Sequence, residues 1–405
     1  MDINKHVEAI MNIYNVAHKS ALSLFLCSSF FSQILPVQST EYNITSRFVG
    51  SMLAGGIGDA LGRVTEFIKS TDAIFKQYSR GVRSYGDFLL SDWLYVPEQL
   101  KSEEIAPYTD DTAMAKLVMK ELINAKEHNW DLNETMCNIA TSFIHDSHDT
   151  QLGWVAPFRA PGNACIAGVK QLSINFSENG KPFRMYPPAW DTLATSAGGC
   201  GSVMRAHPFG LVFAHDPKKA ALWAVEHSRL THGNPIALAA CAAMATGVAH
   251  AVQGKDPQIV VKEMIEAARQ YDVVTANKIK IAYTCAQQAK ELRKPFDDIF
   301  QAYENAEFRK YNDYVFSLFL GWAAHDAIAA TVYAFALSPD NVMEAVYLGV
   351  HTPGDSDSIA SMAGALVGAR VGVEQLPCAL IAQLEGSAEL RLDAVKAANL
   401  FKKSA

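Results

Sequence analysis

Apolar positions recur at helical spacing along most of this chain, and alternating strand-like runs are sparse. From Thr112 onward, Ala113, Met114, Leu117, Val118 and Leu122 fall on one helical face. From Ser356 onward, Ile359, Met362, Ala363, Leu366 and Val367 do the same. Asn234-Pro235 supplies a cap and a first-turn proline for a helix that Gly254 ends. Within it, Ala237 through Ala251 is apolar round most of its circumference, which predicts a helix buried on all sides. Residues 323–337 and 376–400 read the same way. Loop signals gather in 153–195, where Gly153, Pro157, Pro161, Gly162, Gly180, Pro182, Pro187 and Pro188 make the longest irregular stretch. A second irregular stretch covers 80–107. No internal repeat or long linker divides the chain, so the pattern predicts one all-α domain, residues 45–405, behind a separate leader, residues 1–44.

The leader is ambiguous in its own way. Residues 20–40 carry no formal charge, and the apolar run Ala21–Phe31 follows Lys19. That fits a secretory signal peptide with a long charged start as well as it fits an extra N-terminal helix. Its serines, Gln33 and Pro36 argue against a membrane span. The expected location is therefore cytoplasmic, or secreted and delivered to another cell. Composition narrows the function. Apolar residues at 49% and charged ones at 19% suit a globular chain with a large core. A net charge of −7 without a basic run argues against a nucleic-acid binder. The seven cysteines contain no CxxC pair, which points to free thiols rather than disulfides or zinc.

Two acidic clusters stand out, Thr109-Asp110-Asp111-Thr112 and Gly354-Asp355-Ser356-Asp357-Ser358, each opening a predicted helix. Helix capping uses one side chain per helix, whereas each cluster supplies several. Oxygen-only donors of this kind suit Mg²⁺, Mn²⁺ or Ca²⁺. Adjacent Asp110 and Asp111 point in different directions and can serve two neighbouring ions, while Asp355 and Asp357 converge only from a non-helical entry turn. Gly55-Gly56-Ile57-Gly58-Asp59-Ala60-Leu61-Gly62 has no strand before it and reads as a close-packing helix face rather than a dinucleotide loop. Glu66, just beyond it, is aimed inward if that helix packs tightly. Gly198-Gly199-Cys200-Gly201-Ser202 is a glycine-rich turn entering an apolar segment, able to cradle a diphosphate or simply to start a helix. Cys200 as a nucleophile, with His207 or His232 as base, is the weaker reading. His232 bonds a phosphate or a backbone carbonyl, and His351 reads as a loop histidine.

Taken in order, these residues resemble the ADP-ribosylglycohydrolase family. The run is Gly58-Asp59-Ala60-Leu61-Gly62 with Glu66-Phe67, then Thr109–Thr112, Gly199–Arg205, Thr231-His232 and Gly354–Ser358, spanning roughly 46–375. Gly198–Gly201, Ser228–His232 and the Gly-Asp-Ser-Asp-Ser form of the second cluster are most similar to the arginine-specific branch. The resemblance implies a compact single-domain helical bundle with a binuclear Mg²⁺ centre, Mn²⁺ being the alternative, at the floor of a cleft. It implies Thr109, Asp110, Asp111, Asp355, Asp357 and Ser358 as metal ligands, with Glu66, Asp110 and Asp111 carrying the catalysis. Substrate contacts are expected from Gly162, Asn163, Gly199, Cys200, Gly201, Ser202, Thr231 and His232. Three departures are visible. Pro353 stands where the family has another glycine, the loop Gly321–Asp326 is shorter than in the arginine branch, and there is an insertion before Thr109.

The implied reaction removes mono-ADP-ribose from a modified protein, most simply from arginine, releasing ADP-ribose. A monomer and no nucleic-acid partner are expected. Glu66 is the expected proton-transfer group, an effect of roughly 10²–10⁴-fold. Three rival readings remain: cleavage of a serine- or ester-linked ADP-ribose, a non-catalytic ADP-ribose binder, and a phosphoesterase that would yield AMP plus ribose phosphate.

Overall fold

The computed structural model describes residues 43–88, 95–102, 105–179 and 195–402. Among them every regular element is helical, and β-structure is confined to three isolated bridges, Ala106–Leu384, Thr195–His232 and Gly199–Ala323. The all-α expectation holds. The leader expected over residues 1–44 lies outside the described residues except at its last two positions, and the helical unit starts at Ile44.

Two glycine-rich helices, Ile44–Gly62 and Ser356–Val371, form the centre, and their small side chains explain why. A Cβ added at Gly58 would stand 2.3 Å from the Ala360 carbonyl oxygen, and one at Gly62 would stand 2.6 Å from the Asp357 Cα. From the other side, Gly364 and Gly368 press against the Ala54 and Gly50 carbonyls, at 2.4 Å each by the same measure. The pairing of Gly50 with Gly368 and of Gly62 with Asp357 makes the helices antiparallel. The end of the first therefore meets the start of the second, which carries the second acidic cluster.

The predicted Ala-rich helix is Pro235–Val252, capped by Asn234, whose side chain accepts the Ile236 N–H at 3.1 Å. Every residue from Ala237 to Val252 is buried except His250, so its membrane-like apolarity belongs to the core of this fold. Ala324–Leu337 is buried in the same manner. Two expectations are corrected. The stretch 153–195 holds a helix, Asn163–Asn179. Residues 376–400 are two helices, Cys378–Gln383 and Ser387–Phe401, broken where Gly386 takes φ +59 and exposed along one side. Among the described residues of 80–107, the regular elements are a short 3₁₀ turn, Tyr85–Asp87, and the helix Glu98–Ser102. His351 is a loop histidine as expected, in the turn after the helix Val342–Val350, but a fully buried one: it lies among Phe75, Phe300 and Tyr303 and accepts the Val82 N–H at 2.9 Å through Nε2.

Candidate metal centre and cleft

The first acidic cluster is held in place by a residue on the central helix. Asp59, fully buried, accepts the Thr109 N–H at 2.9 Å through Oδ1. Its Oδ2 accepts the Thr112 N–H at 3.0 Å and the Thr112 hydroxyl at 2.6 Å. It thereby pins the start of the helix Asp110–His128 against Ile44–Gly62. Thr109 is the helix cap: its hydroxyl accepts the Asp111 N–H and bonds Asp111 Oδ2, both at 3.2 Å. Capping accounts for Thr109 and leaves Asp110 and Asp111 over. In the second cluster Asp355 occupies the cap position of Ser356–Val371 without making a side-chain capping bond. Ser356 and Thr65 tie that entry to the end of the first helix through the Gly62 carbonyl, at 2.8 and 2.9 Å.

The result is one cleft lined by five carboxylates from three separate segments: Glu66, Asp110, Asp111, Asp355 and Asp357. Ligand oxygens of Glu66, Asp355 and Asp357 all lie within 4.8 Å of one another. Only 7% of the Glu66 side chain is exposed, and its one basic partner is Arg63, at 2.5 Å. Burial above all raises the Asp110, Asp111 and Asp355 carboxyls well above the ordinary range. Burial, and then the Asp357 charge, push Glu66 up to about 10 despite Arg63. Like charges packed this way disfavour ionisation unless a cation joins them. Asp111 Oδ1 is buried without any hydrogen-bond partner, which leaves it a free hard donor. The donor set, all oxygen and mostly carboxylate, fits a divalent cation such as Mg²⁺ or Mn²⁺. This acidic cluster is a centre that can hold metal.

The remaining predicted residues sort by position. Gly162, Asn163, Gly199, Cys200, Gly201, His232 and Ser358 line the cleft, as does Trp322. The Gly162 N–H is directed at Asp110 Oδ2, at 3.3 Å, and the Cys200 N–H is committed to the Trp322 carbonyl at 3.2 Å, so the glycine turn offers fewer free donors than expected. The Cys200 thiol lies 2.8 Å from Asp355 Oδ2, to which it donates, and burial followed by that carboxylate raises it well above the usual thiol range. That is the opposite of an activated nucleophile, and the cysteine-nucleophile reading falls. Ser202 and Thr231 are fully buried behind the lining. The Ser202 hydroxyl accepts from Ser228 at 2.8 Å and from Cys241 at 3.4 Å.

Thr231 has a different part. Its hydroxyl accepts from Arg205 Nη2 at 2.7 Å and lies 2.8 Å from His232 Nδ1. A hydroxyl proton given to Nδ1 leaves the imidazole hydrogen on Nε2, whereas an Nδ1–H given to the hydroxyl leaves Nε2 an acceptor. Nε2 is buried, without a partner, and belongs to a ring that lines the cleft. Burial, and secondarily Arg205, lower the His232 pKa to about 3, so the ring is neutral rather than a cation. Sequence reasoning missed Asp59 and Arg205 as organisers of this site. The signal for each was a lone charged residue inside an otherwise small or apolar run.

Comparison with known proteins shows which family the chain belongs to. Residues 40–405 match the profile of the family described as ADP-ribosylglycohydrolase. The ADP-ribosylhydrolase ARH3 of Xenopus tropicalis is 24% identical over 352 residues, covering 82% of this chain and 89% of that protein. The ADP-ribosyl-[dinitrogen reductase] glycohydrolase of Rhodospirillum rubrum is 22% identical over 352 residues, covering 86% and 94%. The ADP-ribosylhydrolase ARH1 of Dictyostelium discoideum is 24% identical over 370 residues, covering 81% and 87%. Among solved structures, an ADP-ribosylglycohydrolase-related protein complex superposes with a TM-score of 0.60 at 18% identity, over 89% of this chain and 99% of that one. The chain belongs to the ADP-ribosylglycohydrolase family.

Proposed function

We propose that the protein hydrolyses the glycosidic bond joining mono-ADP-ribose to a protein side chain, with arginine as the modified residue and ADP-ribose as the product. The convergence of Glu66, Asp355 and Asp357 oxygens within 4.8 Å, beside Asp110 and Asp111, carries the reading. Asp110, Asp111, Asp355 and Asp357, with Ser358 and Thr109 adjoining, are the residues that would hold two Mg²⁺ or Mn²⁺ ions. Bound there, divalent cations supply the positive charge that fixes ribose hydroxyls and favours attack by water.

The chain's own groups do the rest. Breaking the bond develops positive charge at the anomeric carbon, and a floor of carboxylates favours that charge. Glu66 sits at the end of the central helix with its carboxyl turned into the cleft, where it exchanges the proton between water and leaving group. In the tautomer in which the Thr231 hydroxyl donates to Nδ1, the neutral His232 presents Nε2–H as a donor suited to a diphosphate oxygen. The enclosed part of the cleft is about 180 Å³, smaller than usual ligand pockets. The ribose end therefore lies inside and the rest of the nucleotide extends across the opening.

Arginine rests on Gly198–Gly201, Ser228–His232 and Gly354–Ser358, which carry the resemblance to the arginine-specific branch. A serine or ester linkage is the alternative, and relatives named ARH3 and ARH1 match at the same identity, 24%. The test is incubation of purified protein with arginine-, serine- and ester-linked ADP-ribosyl proteins, with and without Mg²⁺. Release of ADP-ribose from the arginine substrate alone is expected. Preference for another linkage would revise the specificity and leave the hydrolase reading standing.

A further inference from the structure

Exposed apolar side chains recur along the segment that leads into the cleft at Trp322. Tyr314 and Leu318 lie one turn apart on the helix Ala306–Leu318 and share a face. Beyond the helix burial alternates: Leu318, Leu320 and Trp322 are exposed, whereas Phe319 and Gly321 are buried. Phe67, 62% exposed, stacks on Trp322 with ring centroids 5.1 Å apart and planes inclined by 17°. Phe67 holds this position at φ +69, a conformation unfavourable for a side chain of its size, with its N–H on the Gly354 carbonyl at 3.1 Å.

The inner side of the same segment builds the site. A Cβ at Gly321 would stand 2.7 Å from that of Asp355, and the Asp355 N–H donates to the Leu320 carbonyl at 2.9 Å. Trp322 belongs to both, lining the cleft and carrying the stack with Phe67. Single exposed apolar residues need no explanation. Four within nine residues of one segment, ending at a cleft-lining tryptophan on which a fifth stacks, do.

We propose that this strip is the docking surface for the polypeptide that carries the ADP-ribose, receiving uncharged apolar side chains that flank the modified residue. The inference rests on the hydrolase reading. The scissile bond joins a sugar inside the cleft to a protein outside it, so the polypeptide has to lie against the mouth. Phe67, Tyr314, Leu318, Leu320 and Trp322 bring no formal charge, so the segment they fit is apolar. The surface gives the enzyme a preference for modified proteins over a modified free amino acid.

The test compares kcat/KM on a mono-ADP-ribosylated protein with that on the free ADP-ribosyl amino acid of the same linkage. The enzymes are the wild-type full chain, the double variant Tyr314→Ser/Leu318→Ser and the single variant Tyr314→Ser, each checked for folding by circular dichroism. The double variant is expected to lose about tenfold on the protein substrate and to stay within about twofold of wild type on the amino acid. Tyr314→Ser should move in the same direction by less. Equal loss on both substrates, or no loss on the protein, overturns the surface. So does a wild-type dimer in solution that the substitutions dissociate, since the strip would then face a second copy. A wild type that turns over neither substrate fails one step earlier, removing the hydrolase reading and the surface with it.

Discussion

Three donors converge on Asp59, two backbone N–H groups and the Thr112 hydroxyl, so one carboxylate sets where the Asp110–His128 helix begins. Asp59→Asn keeps the shape but turns one oxygen into an NH₂ that must face a donor. It is expected to destabilise the fold by about 1–3 kcal/mol and to weaken divalent-cation binding by misplacing Asp110 and Asp111, measured by urea unfolding and calorimetry with Mn²⁺. Glu66→Gln and Asp357→Ala should instead leave the circular-dichroism spectrum unchanged and lower ADP-ribose release by roughly 10²-fold or more. Undiminished turnover in both variants would remove their proposed roles. The acidic clusters were legible because several carboxylates at one helix start exceed what capping uses. Asp59, Arg205 and the Nε2 of His232 were not, since a buried polar residue takes its meaning from partners that only the fold brings near.

At the scale of elements, the Ile44–Gly62 and Ser356–Val371 pair does most to place the site, and its glycines are not equivalent. A methyl at Gly58 meets backbone, at 2.3 Å from the Ala360 oxygen, whereas a methyl at Gly55 finds ordinary contact at 3.5 Å. Gly58→Ala is thus expected to destabilise by about 1–3 kcal/mol through forced separation of the helices. Gly55→Ala should be neutral or stabilise by up to about 1 kcal/mol, as glycine is poor in helix interiors. Chemical denaturation of both variants checks the contrast, and equal destabilisation would argue against close packing as the reason for these glycines. The small-residue face was readable at 51–62, where only a helix makes sense of the spacing. Asn163–Asn179 was hidden because glycines and prolines crowd both sides of it, in 153–162 and 180–188. Gly386 was the break signal within 376–400, and the apolar residues around it masked it.

For the whole molecule the chief consequence is electrostatic. In the folded chain, burial holds Asp110, Asp111 and Asp355 above the ordinary carboxylate range and Glu66 at about 10. The unfolded chain releases those protons above about pH 4. Between that pH and about 10 the folded cluster binds more protons, which lowers stability as pH rises. The buried, neutral His207, His227, His232 and His351 act in the opposite sense below about pH 7, where the unfolded chain protonates them, so with divalent cations chelated stability falls with rising pH only above about pH 7. Added Mn²⁺ reverses this by taking the place of the protons, and its effect on Tm should be larger at pH 8, about 5 °C or more, than at pH 5. A chelated protein whose Tm rises from about pH 7.5 to about pH 9, above the histidine range, would contradict the buried cluster. The account depends above all on distant acidic segments forming one cation site that cleaves an ADP-ribosyl linkage. The most direct measurement is product analysis after incubating the purified chain with mono-ADP-ribosylated arginine, serine and ester substrates, in Mg²⁺ and in chelator. Intact ADP-ribose released in Mg²⁺ and abolished by chelation is the expected result; no release from any linkage, or AMP plus ribose phosphate in its place, would contradict it.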